Sequence, residues 1–467
     1  MAAAPTSDAD CSWADDRRGI ASMKDLLTLC DRVVDAALKS GADEAEAMSV
    51  RVRDVNVELQ KNDLQMARSM SGTGLGLRVF RGGSLGFAYV NSFDEASTAE
   101  SVERAVGMAS ASPPDPLNVL PDPTEIRPLE GMFAEGSEDY DVRSAVDRTL
   151  EMLRAARDFD PRVSVDSGEL AGHSGEKAIV SSRGVRAAER SSFYYCYIFG
   201  MAKEGEAVSS FDFQYDGARA PDAIDPTAVA VKFAENVVAS LGAVKGESFK
   251  GPVILAPKAA SEILVDPIAV SVRASAVQRE TSKFRGKLDQ RVAAPILSVT
   301  DDSTLKNGAA TTAFDREGLA PEVLPLIEQG VLRNFLYDAY TARKDGRLSN
   351  GHAGGSASSV PLVATTNIVV AAGDSAVEDM IAGVDGGLLV TRFSGNADPV
   401  SGDFSGAVKG GRMIRNGRLA EPLCGTMIAG NTFELLEKIT DVSRETERML
   451  GSVVPYIALE EVSVTGG

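Results

Sequence analysis

A chain of 467 residues is too long for one ordinary hydrophobic core, so two large domains are expected. With 44% hydrophobic and 25% charged residues the composition is that of a globular protein, and no stretch approaches the ~20 consecutive apolar residues of a membrane-spanning helix. That excludes a membrane span, and a net charge of −19 repels phosphate backbones and argues against nucleic-acid partners.

Residues 1–22, rich in Ala, Ser and Asp, lack the basic start and apolar core of a secretory signal and read as a disordered extension. Ser22-Met-Lys-Asp25 has the form of a capping box. It opens a helix with Leu26, Cys30, Val33, Val34, Ala37 and Leu38 on one face, stopped by Gly41. Val50 and Val52 then alternate with Arg51 and Arg53, whereas Val55, Val57 and Leu59 alternate in the opposite phase, a slip that predicts a β-bulge. Residues 76–90 read as a hairpin turned at Gly82-Gly83. Helices are expected near 94–111, 142–158 and 226–241, strands near 177–189 and 191–201, and an exposed Pro- and Asp-rich connection over 112–128. Without regular strand-helix-strand alternation, the fold class is α+β.

Near 245–250 the composition shifts to frequent Gly and β-branched runs. The expected organisation is therefore an N-terminal α/β-mixed domain with antiparallel hairpins over 23–247 and a β-rich C-terminal domain over 248–467. In the second domain only short helices near 258–266, 375–383 and 431–439 stand out. The basic stretch from Arg273 to Arg291, interrupted by Glu280 and Asp289, reads as a mobile polar loop in preference to an anion site.

Cys11, Cys30, Cys196 and Cys424 show no CxxC pair and no regular spacing, which argues against a disulfide framework and suits a reducing cytoplasm. Cys30 and Cys196 are expected in the core. The only histidines, His173 and His352, lie far apart in the chain, so no two imidazoles can face one zinc ion from a single helix. No serine-hydrolase elbow, Walker A sequence or dinucleotide loop is present; Gly72-Thr-Gly-Leu-Gly76 leads into a strand.

Several segments of the second half go beyond generic signals. They are Phe314-Asp-Arg-Glu-Gly318, Ile327-Glu-Gln-Gly-Val-Leu332, Tyr340-Thr-Ala-Arg-Lys344, Ser349-Asn-Gly-His-Ala-Gly-Gly355, Gly402-Asp-Phe-Ser-Gly406, Ile414-Arg-Asn-Gly417 and Thr426-Met-Ile-Ala-Gly-Asn431. In this order and spacing they resemble the TldD/PmbA family, once described as modulators of DNA gyrase, and the PmbA (TldE) branch in particular. The likeness extends over about 24–467.

The resemblance implies a role. In the family the TldD branch carries HExxxH, completed by a cysteine near the C-terminus, while the PmbA branch lacks these groups and pairs with a TldD-type chain in a peptidase of unfolded peptides. The corresponding helix here, Ala259 to Val272, has no histidine, and Ser443 to Pro455 has no cysteine. The resemblance thus implies no catalytic residue, no metal ligand and no bound cofactor in this chain, with zinc in a TldD-like heterodimer partner. Whether the chain forms homodimers alone stays open. An autonomous hydrolase with an unrecognised site is the alternative; a direct DNA role is disfavoured by the charge.

Two loops are candidates for a peptide cleft or subunit interface: Ser349, Gly351, His352, Gly354 and Gly355, and then Asp403, Phe404 and Ser405. For each, a plain structural reading competes. The first is also a tight glycine turn with His352 capping a carbonyl, and the second a loop between strands.

Overall fold

The computed structural model describes residues 23–467, so the extension over 1–22, including Cys11 and Ser22, lies outside the described residues. Helix α1 (Met23–Lys39) buries Leu26, Cys30, Val33, Val34 and Ala37, the stripe that its periodicity implies. There follow β1 (Glu44–Gln60), β2 (Asp63–Arg81), β3 (Ser84–Val90), α2 (Glu95–Ala111), α3 (Val142–Phe159), β4 (Val163–Ser181), β5 (Arg186–Glu204), β6 (Ala207–Val208), β7 (Asp212–Ala218) and α4 (Pro226–Ala239). Helices α2, α3 and α4 each begin at an aspartate, Asp94, Asp141 or Asp225, whose side chain accepts a backbone N–H of the first turn. The seven strands form one antiparallel sheet in the order β3-β2-β1-β4-β5-β6, with β7 also on β5. At the β2–β3 turn, Gly82 (φ 57°) and Gly83 (φ 80°) take the left-handed conformation that a two-residue hairpin requires.

The expected bulge near Val52 is absent. β1 pairs in unbroken register with β4 along its length, and its one irregularity against β2 falls at Glu58/Leu59. The change of phase has another cause. Odd positions Ala45 and Ala47 pack in the core beneath α1 and α2, and Val55, Val57 and Leu59 in the core beneath α3 and α4. Even positions Met48 and Val50 point to the opposite face, against Ala313 and Phe314 of the C-terminal half. Two different layers thus cover the two faces, fully at Met48 and partly at Val50, while Val52 is 40% exposed beyond the second layer. The strands expected at 177–189 and 191–201 are likewise redrawn: the break falls at 182–185, and β5 runs unbroken for 19 residues.

The second half contains β8 (Val244–Lys245), β9 (Phe249–Leu255), α5 (Pro257–Ala260), α6 (Asp266–Ser271), α7 (Ala274–Gln278), β10 (Val299–Asp301), β11 (Leu324–Glu328), β12 (Val331–Leu332), α8 (Ala339–Lys344), β13 (Ala353–Gly354), β14 (Leu362–Val363), β15 (Ile368–Val370) and α9 (Val377–Ala382). It closes with β16 (Gly386–Val390), β17 (Arg392–Ala397), β18 (Asp403–Lys409), β19 (Arg412–Arg415), β20 (Arg418–Cys424), β21 (Met427–Asn431), α10 (Thr432–Leu435), β22 (Ile439–Met449) and β23 (Ser452–Thr465). Fourteen of these strands make a mixed sheet around β23, which pairs with β9, β15, β21 and β22. Its core includes Val253, Leu255, Ile263, Leu264, Val390 and Ile457.

The polar stretch 273–291 is tied down by Phe284, fully buried edge-on to Phe433. Cys30 and Cys196 are buried, as expected. The architecture is α+β, with a strand-rich second half. Among the described residues no helix is long and apolar enough to cross a membrane.

Candidate functional site

After β9, Pro257 takes the first turn of a helical run that reaches Ser271. Proline suits that place because its missing N–H would be unpaired there anyway. Pro267 is different. It cannot donate to the carbonyl of Ile263 four residues earlier, and its ring crowds that oxygen. The backbone widens instead. Between α5 and α6 lies a π turn, Ser261–Val265, in which the Asp266 N–H bonds Ser261 O. The displaced Ile263 carbonyl accepts the Thr432 hydroxyl at 2.5 Å.

On a regular α-helix, residues five apart point about 140° away from each other at about 100° per residue. The π turn brings Ser261 and Asp266 toward one side, where both line a pocket of about 430 Å³. Arg273, Thr366, Ile368 and the turn 449–452 also line it. Single π turns recur at functional sites. Burial raises the Asp266 carboxyl. Beside it, burial and, to a smaller extent, the Asp266 charge push Glu262 up to about 7, against the opposing charge of Arg392. Burial also lowers Arg273, whose Nε has no hydrogen-bond partner.

Ser261-Glu-x-x-x-Asp266 has the spacing of H-E-x-x-x-H, with a glutamate at the second position and no histidine at the first or sixth. Zinc needs at least three converging nitrogen, sulfur or carboxylate donors. Among the described residues no three His, Cys, Asp or Glu side chains converge in that way. The turn 449–452 adds only Met449, Leu450, Gly451 and Ser452 to the pocket lining. This donor set does not fit zinc.

The same helical run is wedged against the N-terminal sheet. Lys258 Nζ donates to Phe213 O (2.8 Å) and Gln214 Oε1 (2.7 Å) on β7, and Arg392 lies 3.8 Å from Asp212. A second junction is ionic and fully buried. Glu46 on β1 receives Arg78 on one oxygen (2.6 Å) and Arg316 on the other (2.7 Å), and Arg78 also bonds Glu317 at 2.9 Å. Burial alone would raise the Glu46 carboxyl, but the charges of Arg78 and Arg316 outweigh it and hold it low. Asp315 accepts the N–H groups of Glu317, Leu319 and Ala353. Burial, then the charge of Glu317, still pushes it up to about 7. The Phe314-Asp-Arg-Glu-Gly318 segment is thus the bolt between the two halves, a role the sequence reading did not give it. Charged residues inside a short glycine-ended motif were the available signal.

The first candidate loop packs beside this bolt. His352 is 2% exposed; its Nδ1 lies 2.9 Å from Asn350 O and its Nε2 3.3 Å from Asp301. Ser349 donates to Tyr337 O. Gly351 has φ 75°, and a Cβ there would stand 2.5 Å from Ala320 O. Gly354 pairs with Leu362 in the β13–β14 ladder, and Gly355 is exposed.

The second candidate is not a loop. Asp403, Phe404 and Ser405 begin β18, paired with β17 on one side and β21 on the other. The Gly395 and Gly406 backbones approach so closely that no side chain fits between them, which explains glycine in a strand. Phe404 is buried edge-on to Phe393, Asp403 accepts Asn431 Nδ2 at 2.8 Å, and Ser405 is exposed. No hydrogen bond, ion pair or ring contact joins the two candidate groups among the described residues.

Two sheets bolted through a helical wedge, with a π turn at a pocket, define the class: an α+β protein with the fold of TldE from Thermococcus kodakarensis. That structure superposes with a TM-score of 0.86 at 24% identity, over 94% of this chain and all of the other. A structure from Thermotoga maritima, described as a modulator of a DNA gyrase, superposes with the same TM-score of 0.86 at 23% identity, over 94% of this chain and 99% of the other. At such identities the likeness concerns the fold. Family models match in three consecutive parts: PmbA/TldA metallopeptidase domain 1 over 45–112, the central domain over 135–241 and the C-terminal domain over 248–466. The chain belongs to the PmbA/TldD metallopeptidase family. Relatives from Haemophilus influenzae include a metalloprotease TldD homolog, 27% identical over 84% of this chain and 86% of that protein. A metalloprotease PmbA homolog is 25% identical over 96% and 97%.

Proposed function

We propose that this chain is the non-catalytic, PmbA/TldE-like member of a two-chain cytoplasmic peptidase that degrades or matures unfolded peptides. In this reading a TldD-like partner bearing HExxxH holds the zinc and the water-activating glutamate. This chain binds no cofactor; it completes the cleft and helps to hold the peptide. One observation carries the reading: at the π turn, Ser261 and Asp266 occupy the spacing of the two histidines, and no thiolate faces them. Peptide capture has a suitable edge. Among the described residues the outer side of β2 is unpaired from Asp63 to Gly74, since β3 joins it only from Leu75, and most of that stretch is exposed. Strand addition there would give sequence-tolerant affinity through main-chain hydrogen bonds.

Co-expression with an HExxxH-bearing chain is expected to yield a stable heterodimer whose peptidase activity disappears when the partner's glutamate is changed to glutamine. Peptide cleavage by the purified chain alone, with stoichiometric zinc surviving dialysis, would overturn the reading. The autonomous alternative would assign the general base to Glu262, an exposed carboxylate next to Ser261 in the helical run. If that were its role, Glu262→Gln would abolish hydrolysis by the isolated chain.

A further inference from the structure

The N-terminal sheet carries an aromatic ladder on the face turned away from α3 and α4. Along β5, Tyr194, Cys196 and Ile198 enter the core beneath those helices. The alternate residues Tyr195, Tyr197 and Phe199 therefore point to the opposite face. Phe213 and Tyr215 on β7 and Phe211 just before it join them there, and all six are half-buried. The rings pack on one another: Tyr197 on Phe213, Phe213 on Tyr215, and Phe199 stacked on Phe211 at 5.2 Å. Beside them the register sets two like charges directly opposite each other, Glu58 on β1 and Glu169 on β4, with Tyr197 next to Glu169 on β5. Like charges in that position destabilise a sheet. Glu169 accepts the neutral Asn56 amide and, at 3.0 Å, the Tyr195 hydroxyl. Arg68, opposite Asn56 on β2, is exposed, and among the described residues no ion pair joins either glutamate to a cation. Both charges bear on the Tyr197 phenol, which burial and then Glu169 and Glu58 raise.

We propose that this face binds unfolded peptide segments carrying lysine or arginine, the cation set between Glu58, Glu169 and the Tyr195 and Tyr197 rings, with apolar neighbours on Phe199, Phe211 and Phe213. A cation is attracted to the negative face of an aromatic ring, and a carboxylate at the rim adds a charge-assisted hydrogen bond. The chain's own cations already make the first of these contacts beside the ladder. Lys258 Nζ lies 5.3 Å from the centre of the Tyr215 ring, and the Arg219 guanidinium 5.7 Å from that of Phe193, next along β5. His173, 2.6 Å from Asp54, stacks on Tyr195. From Phe193 to Phe199 the strand runs about 20 Å, room for about six residues of extended peptide. The inner end of the face adjoins the pocket at the π turn: a Cβ on Gly217 would stand 3.5 Å from Leu450 Cδ2, and Leu450 lines that pocket. The inference rests on the peptide-holding role proposed above and adds to it a preference for basic over acidic segments.

Calorimetry on the isolated chain tests this with a doubly capped pentapeptide, N-acetyl Ala-Phe-Lys-Phe-Ala amide. Saturable binding is expected, at least about tenfold weaker when norleucine replaces the lysine, and absent when glutamate does. Raising the salt concentration should weaken the lysine peptide. Glu58→Gln and Glu169→Gln should each narrow the gap between the lysine and norleucine peptides, leaving the affinity of the norleucine peptide in place. Glu58→Gln also removes a like-charge contact, so its thermal unfolding temperature should be no lower than that of the parent chain. Tyr197→Leu should weaken the lysine peptide more than the norleucine one. Equal affinity for those two peptides, or a lysine preference untouched by both glutamine variants, overturns the proposal. So does loss of peptide binding when an HExxxH-bearing chain is added, which would make the face a subunit interface. The two readings fail separately. Cleavage of the lysine peptide by the isolated chain refutes the non-catalytic role alone. A co-purified pair that cleaves the lysine and norleucine peptides with the same KM, neither being bound by this chain, refutes the aromatic face alone.

Discussion

Glu46 shares its two carboxylate oxygens between guanidinium groups from both halves of the chain, one from Arg78 and one from Arg316. Removing one partner of a buried ion pair strands the other in a low-dielectric interior, at a cost of about 3–5 kcal/mol. Arg316→Met is therefore expected to lower unfolding stability by that amount in urea titrations, and an effect below about 1 kcal/mol would show the bolt to be incidental. The neighbouring Asp315 gives the pH dependence. Its folded pKa of about 7 lies above the ~3.9 of an unfolded aspartate, so folding takes up a proton. That contribution is complete below about pH 4 and is lost as pH rises toward about 7. Glu46 runs the other way: its contribution is present above the unfolded carboxylate value and is lost as pH falls from there through its lower folded value. Between about pH 5 and 7 the Asp315 effect acts alone of these two, so the urea midpoint is expected to fall over that window. Asp315→Asn should flatten the slope, while itself costing about 1–3 kcal/mol because an amide cannot satisfy all three backbone donors. At Gly351, alanine meets both a left-handed φ and the Ala320 carbonyl. A loss of about 1–3 kcal/mol in thermal unfolding is expected there.

Among the elements, the π turn follows from Pro267 and is completed by Thr432. Thr432→Val keeps the shape but leaves the Ile263 carbonyl without a partner, an expected loss of about 1–2 kcal/mol. With Pro267→Ala a backbone N–H returns for that carbonyl, so the same valine substitution should then cost little. A double-mutant cycle measures the coupling, and additivity of the two changes would contradict the assigned cause. These elements also mark what the sequence disclosed. Helix α1 and the Gly82-Gly83 hairpin were legible because their periodicity and turn chemistry are local. The double phase of β1 was misread as a bulge because the cover over Met48 and Val50 comes from residues more than 250 positions away. Gly402 to Gly406 was read as a loop because its glycines, required by close pairing with β17, imitate turn residues. The π turn was signalled by Pro267, but only the tertiary hydroxyl of Thr432 shows how the helix tolerates it.

At the scale of the whole molecule, one segment of the C-terminal half locks onto the face of the N-terminal sheet through Arg316 and Glu317. Another, led by Lys258, abuts its last strand. The pocket and the open β2 edge therefore belong to halves that are joined by buried contacts, as the proposed role of shaping a cleft would require. The resemblance read from short motifs anticipated the family; what it could not supply was the geometry of the helical run, since Ser261 and Asp266 meet only through the π turn. Peptidase activity measured on three preparations tests the non-catalytic role most directly: this chain alone, an HExxxH-bearing chain alone, and the two co-expressed and co-purified. Activity confined to the co-purified pair, unchanged by Glu262→Gln in this chain and abolished by glutamate-to-glutamine in the partner, is the expected result. Activity of this chain alone, lost with Glu262→Gln, would contradict it.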